Sequence, residues 1–320
     1  MKYEIRWENR KEAIFDENGN RISDWFDKIY SFGLVSGESD YYVAIKDNKY
    51  AIFDKDGKMI SPEWFDWIKV EIEGLVRGQS PYYIAIKYGK WAIFDENGKM
   101  ISPEWFDWMD TNGLVRGQCD YYIAKKDRKW AIFDKDGNQV SDWFDEIGAD
   151  GLIKGESKYY LAEKDRRYAI FDIKGNQITP EWFDYIRKDG LVRGQSPYYI
   201  AKKDGKYAIF DKDGNMITPE WFDYIWEDGL VNGECDYYIA CNKDKCAVYH
   251  KSGKKVSEDF SIDYMKEVLK VNFNENLGIV EVRDRNGLYG LPKKSIKSID
   301  FNPVYPFKEE IIDYTKLLNI

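Results

Sequence analysis

A segment of about forty residues is repeated several times in succession along this chain. The stretch YAIFDKDGKMISPEWFDWI at residues 50–68 returns as WAIFDENGKMISPEWFDWM at residues 91–109, and fifteen of the first eighteen positions are identical. Self-similarity at a fixed period is typical of folds in which each copy packs on its neighbours. The repeat therefore constrains the fold more than any other feature of the sequence.

The tetrapeptide AIFD marks the period. It recurs every 38–41 residues, and two diverged copies, AVYH and GLYG, extend the series to eight repeats. The eight copies begin at Ala13, Ala51, Ala92, Ala131, Ala169, Ala208, Ala247 and Gly287. We number the repeats 1 to 8 in this order.

Each repeat contains several short segments that favour strands. In repeat 3, YYIAIK (82–87) and KWAIFD (90–95) flank a short Gly-containing loop, which is typical of a β-hairpin. KMIS (99–102) is predicted as a third strand and GLVRG (113–117) as a fourth, with PEWFDWM (103–109) forming a corner or a single helical turn. Four short strands in forty residues predict one blade of a β-propeller.

Both faces of the predicted hairpin are apolar. Tyr82 and Ile84 share one face, whereas Tyr83 and Ala85 share the other. A sheet stacked between neighbours needs this pattern, with a small residue where the sheets approach. We therefore predict an all-β propeller of seven or eight four-stranded blades, built from ~39-residue repeats over residues 1–300. An open β-solenoid of stacked repeats is the alternative.

The final segment, residues 301–320, breaks the period. We predict a tail or a short helix, over residues 308–318, that covers an edge of the repeat domain.

Composition limits the class of protein. The chain has 320 residues, 17% aromatic residues and a net charge of −9, with acidic and basic residues interleaved. This argues against nucleic-acid binding that depends on a basic field, and against direct sequence-specific DNA recognition. No apolar run is long enough to cross a bilayer. We expect a monomeric, cytoplasmic protein that does not contact membranes.

The four cysteines form no recognisable metal or disulfide pattern. Cys119 and Cys235 occupy positions that are serine in other repeats, so they are interpreted as serine replacements. Cys241 and Cys246 lack CxxC spacing and neighbouring histidines. We therefore expect neither a disulfide framework nor a zinc site.

The segment KWAIFDENGKMISPEWFDWM resembles the bacterial WG-repeat pattern, in which an aromatic-Gly strand is followed by a Gly turn and an aromatic-Asp segment. The resemblance covers residues 10 to about 260. It implies a repeat protein with no common enzymatic activity. More loosely, the chain is similar to propeller-fold anti-CRISPR proteins that inhibit type VI RNA-guided nucleases.

The repeated Asp-x-(Asp/Asn)-Gly turns are the sharpest metal candidates, because carboxylates beside a Gly turn can bind Ca²⁺. The sets are Asp16 and Asn18, Asp54 and Asp56, Asp95 and Asn97, Asp134 and Asp136, and Asp211 and Asp213. The third ligand and the Glu of an EF-hand are missing, so a simple hairpin turn is favoured and no metal or cofactor is expected.

Catalysis is not expected. The single histidine, His250, has no Ser or Cys partner that breaks the repeat, and acidic pairs recur in every copy. Active sites usually need one asymmetric group of residues.

The Trp-Phe-Asp segment allows two interpretations. Its aromatic residues can wedge between sheets while the Asp caps a turn or pairs with a neighbouring repeat. Alternatively, exposed indoles stack on sugar rings and form a lectin. The sugar-stacking candidates are Trp64, Trp105, Trp182 and Trp221.

The repeats differ most after the Gly-Leu-(Val/Ile) segment, where several carry a cation followed by Gly-Gln or Gly-Glu. Arg presents a planar fork suited to carboxylate or phosphate, although pairing with an acid of a neighbouring repeat is an alternative. The candidate partner-binding residues are Arg77, Gln79, Arg116, Gln118, Lys154, Arg193 and Gln195.

The sequence thus favours a non-enzymatic binding protein that engages a protein or ribonucleoprotein through a repeat-built surface. Inhibition of a bacterial CRISPR RNA-guided nuclease is the most concrete version of this hypothesis. A carbohydrate-binding propeller is the alternative.

Overall fold

A computed structural model describes most of the repeat region and several short stretches nearer the C-terminus. The described residues are 3–69, 74–226, 229–243, 245–257, 259–261, 270–274, 279–284, 287–292 and 312–313. The chain divides into two compact units, Met1–Lys164 with Ile173–Gly175, and Asp165–Asp172 with Asn176–Ile320. The predicted single domain over residues 1–300 stays a prediction.

The described part of the first compact unit consists of short strands and one 3₁₀ helix, Leu75–Arg77. Its strands are Glu4–Glu8, Lys11–Phe15, Lys28–Ile29, Tyr41–Lys46, Lys49–Asp54, Trp67–Lys69, Tyr82–Lys87, Lys90–Asp95, Trp108–Met109, Tyr121–Lys126, Lys129–Asp134, Glu146–Ile147 and Tyr159–Lys164.

The described part of the second compact unit contains strands in the same arrangement. These are Arg167–Asp172, Tyr185–Ile186, Tyr198–Lys203, Lys206–Asp211, Tyr224–Ile225, Tyr237–Asn242, Lys245–His250, Phe260–Ser261, Lys270–Asn274, Ile279–Asp284, Gly287–Pro292 and Ile312–Asp313.

A hairpin forms the centre of each sheet, as the sequence predicts. In repeat 3, Tyr82–Lys87 pairs antiparallel with Lys90–Asp95, and Ala85 lies opposite Ala92. The two loop residues, Tyr88 and Gly89, have φ values of +52° and +73°. Positive φ at both positions is the geometry of a type I′ turn, whose twist matches that of the flanking strands.

The Trp-Phe-Asp segment connects two successive sheets. In repeat 3 the chain bends at residues 102–104, which matches the predicted corner, and the alternative of a helical turn over 103–109 is wrong. Phe106 forms a bridge with Trp91 at the edge of one hairpin. Two residues later, Trp108–Met109 pairs with Tyr121–Lys126 of the next hairpin. The segment therefore completes one sheet and begins the following one.

The other two segments predicted as strands do not form full strands. The KMIS segment forms only a single bridge, between Phe94 and Met100. The GLVRG segment is a turn, because Gly113 and Gly117 have φ values of +83° and +68° and interrupt an extended backbone. Leu114 is buried within this turn, which explains its strand-like apolar pattern.

Successive sheets pack on each other, and buried alanines are part of the shared core clusters. In one core cluster of the first unit, Val43 and Ile52 of one sheet contact the face of the next sheet that carries Tyr83, Ala85 and Ala92. All five side chains are at most 1% exposed. The prediction that both faces of each sheet are buried is confirmed for these sheets.

The second compact unit repeats this packing. Ile200 and Ile209 of one sheet lie against Tyr238, Ala240 and Ala247 of the next. The chain is therefore an all-β repeat protein with blade-like sheets, and the predicted fold class is confirmed at this level. The closed ring and the number of blades stay predictions.

The number of strands in a sheet varies. Two sheets have four strands, one of which is completed by Ile312–Asp313 beside Gly287–Pro292. In repeats such as repeat 3, the bridge at Phe106 takes the place of a fourth strand. The predicted terminal helix over 308–318 otherwise lies outside the described residues, and the two residues described there form a strand.

Cys241 and Cys246 form a disulfide, so the expectation that they stay unpaired is wrong. They lie directly opposite each other on Tyr237–Asn242 and Lys245–His250, with Cα atoms 4.0 Å apart. Strand register therefore brings the two thiols together without any CxxC spacing. Among the described residues, no helix is long and apolar enough to span a membrane.

Candidate binding surface

The predicted loop cations are held by acids or amides of the chain. The Arg77 guanidinium donates two hydrogen bonds to the carboxylate of Glu38 in the preceding repeat, at 2.7 and 2.9 Å. Lys154 and Arg193 each contact an aspartate four residues earlier, Asp150 and Asp189. The Arg77 contact matches the alternative of pairing with a neighbouring repeat, whereas the Asp150 and Asp189 contacts lie within single repeats.

Arg116 differs slightly from the other cations. Its guanidinium donates to the Asn112 side-chain oxygen at 3.1 Å. The role of all four cations in binding a partner stays a prediction.

The predicted glutamines close their own turns. The side-chain oxygen of Gln79 accepts a hydrogen bond from the Gly74 N–H, and that of Gln118 accepts from the Gly113 N–H. Gln195 makes the same contact with Gly190 at 2.7 Å. Because a buried N–H without a partner is costly, these glutamines have a structural role in addition to any role in binding.

Neighbouring repeats are linked through the residue that comes directly after these glutamines. The Ser80 hydroxyl donates to the Val115 carbonyl of the next repeat at 2.6 Å. In the same way, the Cys119 thiol donates to the Ile153 carbonyl of the next repeat at 3.2 Å. The interpretation of Cys119 as a serine replacement is confirmed, and burial raises the pKa of its thiol.

The Asp-x-(Asp/Asn)-Gly segments are closed turns. The Asp95 carboxylate accepts hydrogen bonds from the backbone N–H groups of Asn97 and Lys99, at 2.9 and 2.8 Å. In repeat 1 the Asn20 side chain donates to Asp16, and this hydrogen bond lowers the pKa of Asp16. The turn itself uses the carboxylates that a cation would need, which supports the hairpin-turn interpretation.

Ca²⁺ and a chelator are expected to leave the melting temperature unchanged. Asp95 Oδ1 already accepts hydrogen bonds from two backbone N–H groups, so a cation has to compete with these hydrogen bonds. Differential scanning fluorimetry with millimolar Ca²⁺ or EDTA measures this directly. A shift of several degrees with Ca²⁺, absent in Asp95→Asn, would contradict the turn interpretation.

The aspartate of the Trp-Phe-Asp segment joins two sheets. Asp66 forms an ion pair with Lys49 of the preceding hairpin and accepts a hydrogen bond from the Tyr88 N–H in the next hairpin loop. Asp107 makes equivalent contacts with Lys90 and Asp127. Both sequence-based roles for this aspartate, turn capping and pairing between repeats, are confirmed.

These contacts predict a loss of stability in acid. Hydrogen bonds from Lys49 and then from the Tyr88 N–H hold the pKa of Asp66 below its ordinary value of 3.8, and Asp27 and Asp107 are lowered in the same way. A carboxylate with a depressed pKa stabilises the fold above the pKa of the unfolded chain, and this contribution is lost as the pH falls through the folded-state pKa.

We therefore expect the urea midpoint to fall as the pH drops below about 4. Asp66→Asn combined with Asp107→Asn is expected to remove part of this fall, whereas the exposed Asp136→Asn is the control. Identical pH profiles for the wild type and the double variant would contradict the assignment.

The tryptophans of the Trp-Phe-Asp segments pack against phenylalanine rings. Trp105 lies 6.1 Å from Phe65 and 5.9 Å from Phe94, measured between ring centroids. The contacts recur at Trp64, at Trp182 with Phe171, and at Trp221 with Phe183 and Phe210. These four indoles are half-buried, and their measured contacts match the packing interpretation.

A different set of rings lies at the rim of three successive sheets in the first compact unit. Tyr50 lies 4.8 Å from Trp67 across two sheets, and Trp108 lies 5.7 Å from Trp91 and 5.2 Å from Trp130. Trp108 is 36% exposed and the other members are half-buried. We call this set the aromatic strip. Its members are Phe32, Tyr30, Tyr50, Trp67, Trp91, Trp108 and Trp130.

Cations lie over the rings of the aromatic strip. The ammonium groups of Lys28, Lys69 and Lys125 are 5.3, 5.3 and 4.7 Å from the centroids of Tyr30, Trp91 and Trp130, respectively. These distances allow cation–π attraction.

The structure also brings Arg77 to one end of the strip. Its guanidinium carbon lies 4.6 Å from the centroid of Phe32, which stacks on Tyr30. Of the predicted loop cations, Arg77 is thus joined to the aromatic strip by a measured contact.

Comparisons with known proteins give weak similarities. No protein-family model matches the chain, and no curated protein sequence matches it. The WG-repeat and anti-CRISPR resemblances therefore stay predictions.

Among solved structures, a eukaryotic initiation factor aligns with 91% of this chain and 83% of its own length, at 9% identity and a TM-score of 0.35. BamB from Moraxella catarrhalis covers 89% of this chain and 92% of its own length, at 12% identity and a TM-score of 0.29. AztD from Citrobacter koseri covers 92% of each chain, at 12% identity and a TM-score of 0.28. Similarity at this level says nothing about function, and the fold rests on the repeated sheets described above.

The sequence interpretation missed the aromatic strip. It considered the tryptophans of the Trp-Phe-Asp triplets, whereas Tyr50, Trp91 and Trp130 directly precede AIFD and Trp67 and Trp108 directly follow the triplet. Register offers the missing signal, because Trp67 and Trp91 both lie beside Ile86 on one sheet. Trp91 shares a strand face with the buried Ile93 but is itself only half-buried.

Proposed function

We propose that this chain acts by binding, as a non-enzymatic repeat scaffold that engages a macromolecular partner through the aromatic strip. The observation that carries the proposal is a run of half-exposed rings across three successive sheets. Aromatic residues are enriched at the centres of protein interfaces, and contiguous exposed apolar surface marks interaction sites. Because the strip crosses three sheets, it can contact a macromolecular ligand at several rings at once.

The partner we propose is a protein or a ribonucleoprotein of the bacterial cytoplasm. Inhibition of an RNA-guided nuclease is its most specific form and rests on the anti-CRISPR resemblance. Binding alone is sufficient for such inhibition, so no catalytic group is required in the chain.

Sugar binding through Trp64, Trp105, Trp182 and Trp221 has less support. A sugar ring needs an open indole face, whereas Trp105 contacts two phenylalanine rings from different sheets. Replacing these tryptophans is expected to lower the stability of the fold rather than to remove a sugar-binding surface.

A capture experiment with matched variants tests the proposal. Immobilised wild-type protein is incubated with bacterial lysate, in parallel with and without RNase treatment, and retained proteins are quantified by mass spectrometry. Trp67→Ala with Trp108→Ala removes two strip rings, and Trp7→Ala removes a 75% exposed ring outside the strip. We expect a specific partner to be lost in the first variant and retained in the second.

A loop variant, Arg116→Glu with Arg193→Glu, tests the predicted loop residues in the same assay. Loss of the partner in this variant alone would move the binding surface from the strip to the loops. Equal retention by the wild type and all variants would overturn the proposal. Circular dichroism and thermal melting show whether each variant is folded.

A further inference from the structure

The lysines around the aromatic strip fall into two groups. Lys49, Lys90 and Lys129 each form an ion pair with an aspartate. In contrast, Lys28, Lys69 and Lys125 lie over aromatic rings, and within the described part of the chain none of these three forms an ion pair. The strip therefore combines stacking surfaces with positive charges that are not held in ion pairs by the described acids.

We propose that the aromatic strip binds a short single-stranded segment of nucleic acid. Bases stack on Trp108 and on the half-buried rings beside it, and phosphates lie beside Lys28, Lys69 and Lys125. This inference rests on the proposed function, because it names the chemistry that the strip recognises in its partner.

The aromatic rings and the three lysines together favour a nucleic-acid ligand. A base has a π-face that stacks on Trp or Tyr whatever its sequence, and each nucleotide also has an anionic phosphate. A neutral glycan would use the rings but leave the three lysines unmatched. An acidic peptide would match the lysines but would not need a row of indole faces.

The strand has to be single, because base pairing hides the faces that stack. The net charge of −9 also excludes affinity from a general basic field. Stacking therefore supplies most of the binding, and only three lysines contribute charge. For a single strand, this predicts a slope of about −2 in log K against log salt concentration.

The charge pattern of the next sheet limits the site. Where Trp108 and Lys125 lie opposite each other in one sheet, the following sheet has Glu146 opposite Glu163. Two carboxylates repel a phosphate backbone, so the site covers three sheets and ends before this glutamate pair.

Fluorescence anisotropy of the full chain with labelled oligonucleotides tests the inference. The probes are single-stranded RNA and DNA of about 12 nucleotides with mixed sequence, and the same RNA as a duplex. We expect the single strands to bind more tightly than the duplex. The ratio of the RNA and DNA affinities identifies the natural source of the strand.

Four variants separate stacking and charge from general effects. Trp108→Ala is expected to weaken single-strand binding about tenfold, whereas Trp108→Phe retains most of it. Lys69→Gln with Lys125→Gln is expected to reduce the magnitude of the salt slope by about 1.4. Lys58→Gln with Lys99→Gln makes the same charge change at exposed turn positions and is expected to leave binding unchanged.

Unchanged binding in Trp108→Ala, or equally tight binding of duplex RNA or polyglutamate, would overturn the inference. In the capture assay, the RNase-treated lysate reports on direct protein contacts and the untreated lysate also retains ribonucleoproteins. A strip-dependent protein partner together with no oligonucleotide binding would overturn the nucleic-acid inference alone. Loss of both would overturn the proposed function as well.

Discussion

Replacing Gly117 by alanine is expected to destabilise the chain by about 2–4 kcal/mol. Gly117 has a φ of +68°, and an added Cβ would lie 2.4 Å from the Gln79 carbonyl oxygen of the preceding repeat. The substitution therefore combines a left-handed backbone conformation with a clash against backbone that cannot move without separating two repeats. The same close approach recurs at Gly78 and Gly155.

Gly37 provides a matched control within the same chain. It occupies the equivalent position and has a φ of +78°, but no atom lies within 4 Å of its Cβ position. It borders a cavity of about 590 Å³ that Tyr3 and Lys55 also line. Gly37→Ala thus has only the backbone cost, about 1–2 kcal/mol.

Urea unfolding monitored by tryptophan fluorescence measures both variants. The difference between them gives the cost of the contact between repeats. Equal losses of stability in the two variants would show that the contact with the Gln79 carbonyl is not the reason why position 117 requires glycine.

Phe106→Ala is expected to reduce the free energy of unfolding by about 3–5 kcal/mol. Its side chain is fully buried and its ring centroid lies 5.1 Å from that of Phe133 in the next sheet. Its backbone pairs with Trp91 of the preceding sheet through hydrogen bonds of 2.8 Å in both directions. The substitution leaves a cavity between two sheets that the same segment joins.

Trp7→Ala is the control for this substitution, because it removes a larger ring that is 75% exposed. We expect a change within about 0.5 kcal/mol. Denaturant unfolding of both variants at equal concentration is the measurement. A loss below about 1 kcal/mol for Phe106→Ala would contradict the central position of this ring in the core.

Local pattern was sufficient to predict the hairpins. The predicted strands 82–87 and 90–95 match Tyr82–Lys87 and Lys90–Asp95. Their β-branched and aromatic residues flank a two-residue loop with Gly, and their alternation extends to both faces. Hairpin contacts are close in sequence, so the signal lies within one short window.

Segments whose structure depends on a neighbouring repeat were less predictable. GLVRG looks like a strand because Leu114 and Val115 are buried, yet positive φ at the flanking glycines makes it a turn. The Trp-Phe-Asp segment pairs with two different hairpins, which no single window reveals. Cys241 and Cys246 meet through strand register, which is found by aligning repeats rather than from cysteine spacing.

The candidate surface was only partly predictable for the same reason. The sequence singles out Arg77, whose guanidinium does lie on Phe32 at the end of the strip. It does not distinguish Trp105, wedged between sheets, from the more exposed Trp108 three residues later. Exposure at a sheet rim depends on how far the next sheet extends, and that is a property of the packed array.

The segment that completes one sheet and begins the next has a consequence for how such a chain can change in evolution. Because Phe106 serves the preceding hairpin and Trp108–Met109 the following one, and repeats 1 to 6 share the Phe bridge, each of these six repeats offers the same joint on both sides. Recombination between near-identical copies can then delete or add a whole period without breaking a joint. A shift of one residue within the segment would instead turn Phe106 to the wrong face. Gene length in such a lineage should vary in steps of one period, and the aromatic strip should lengthen or shorten by one sheet at each step.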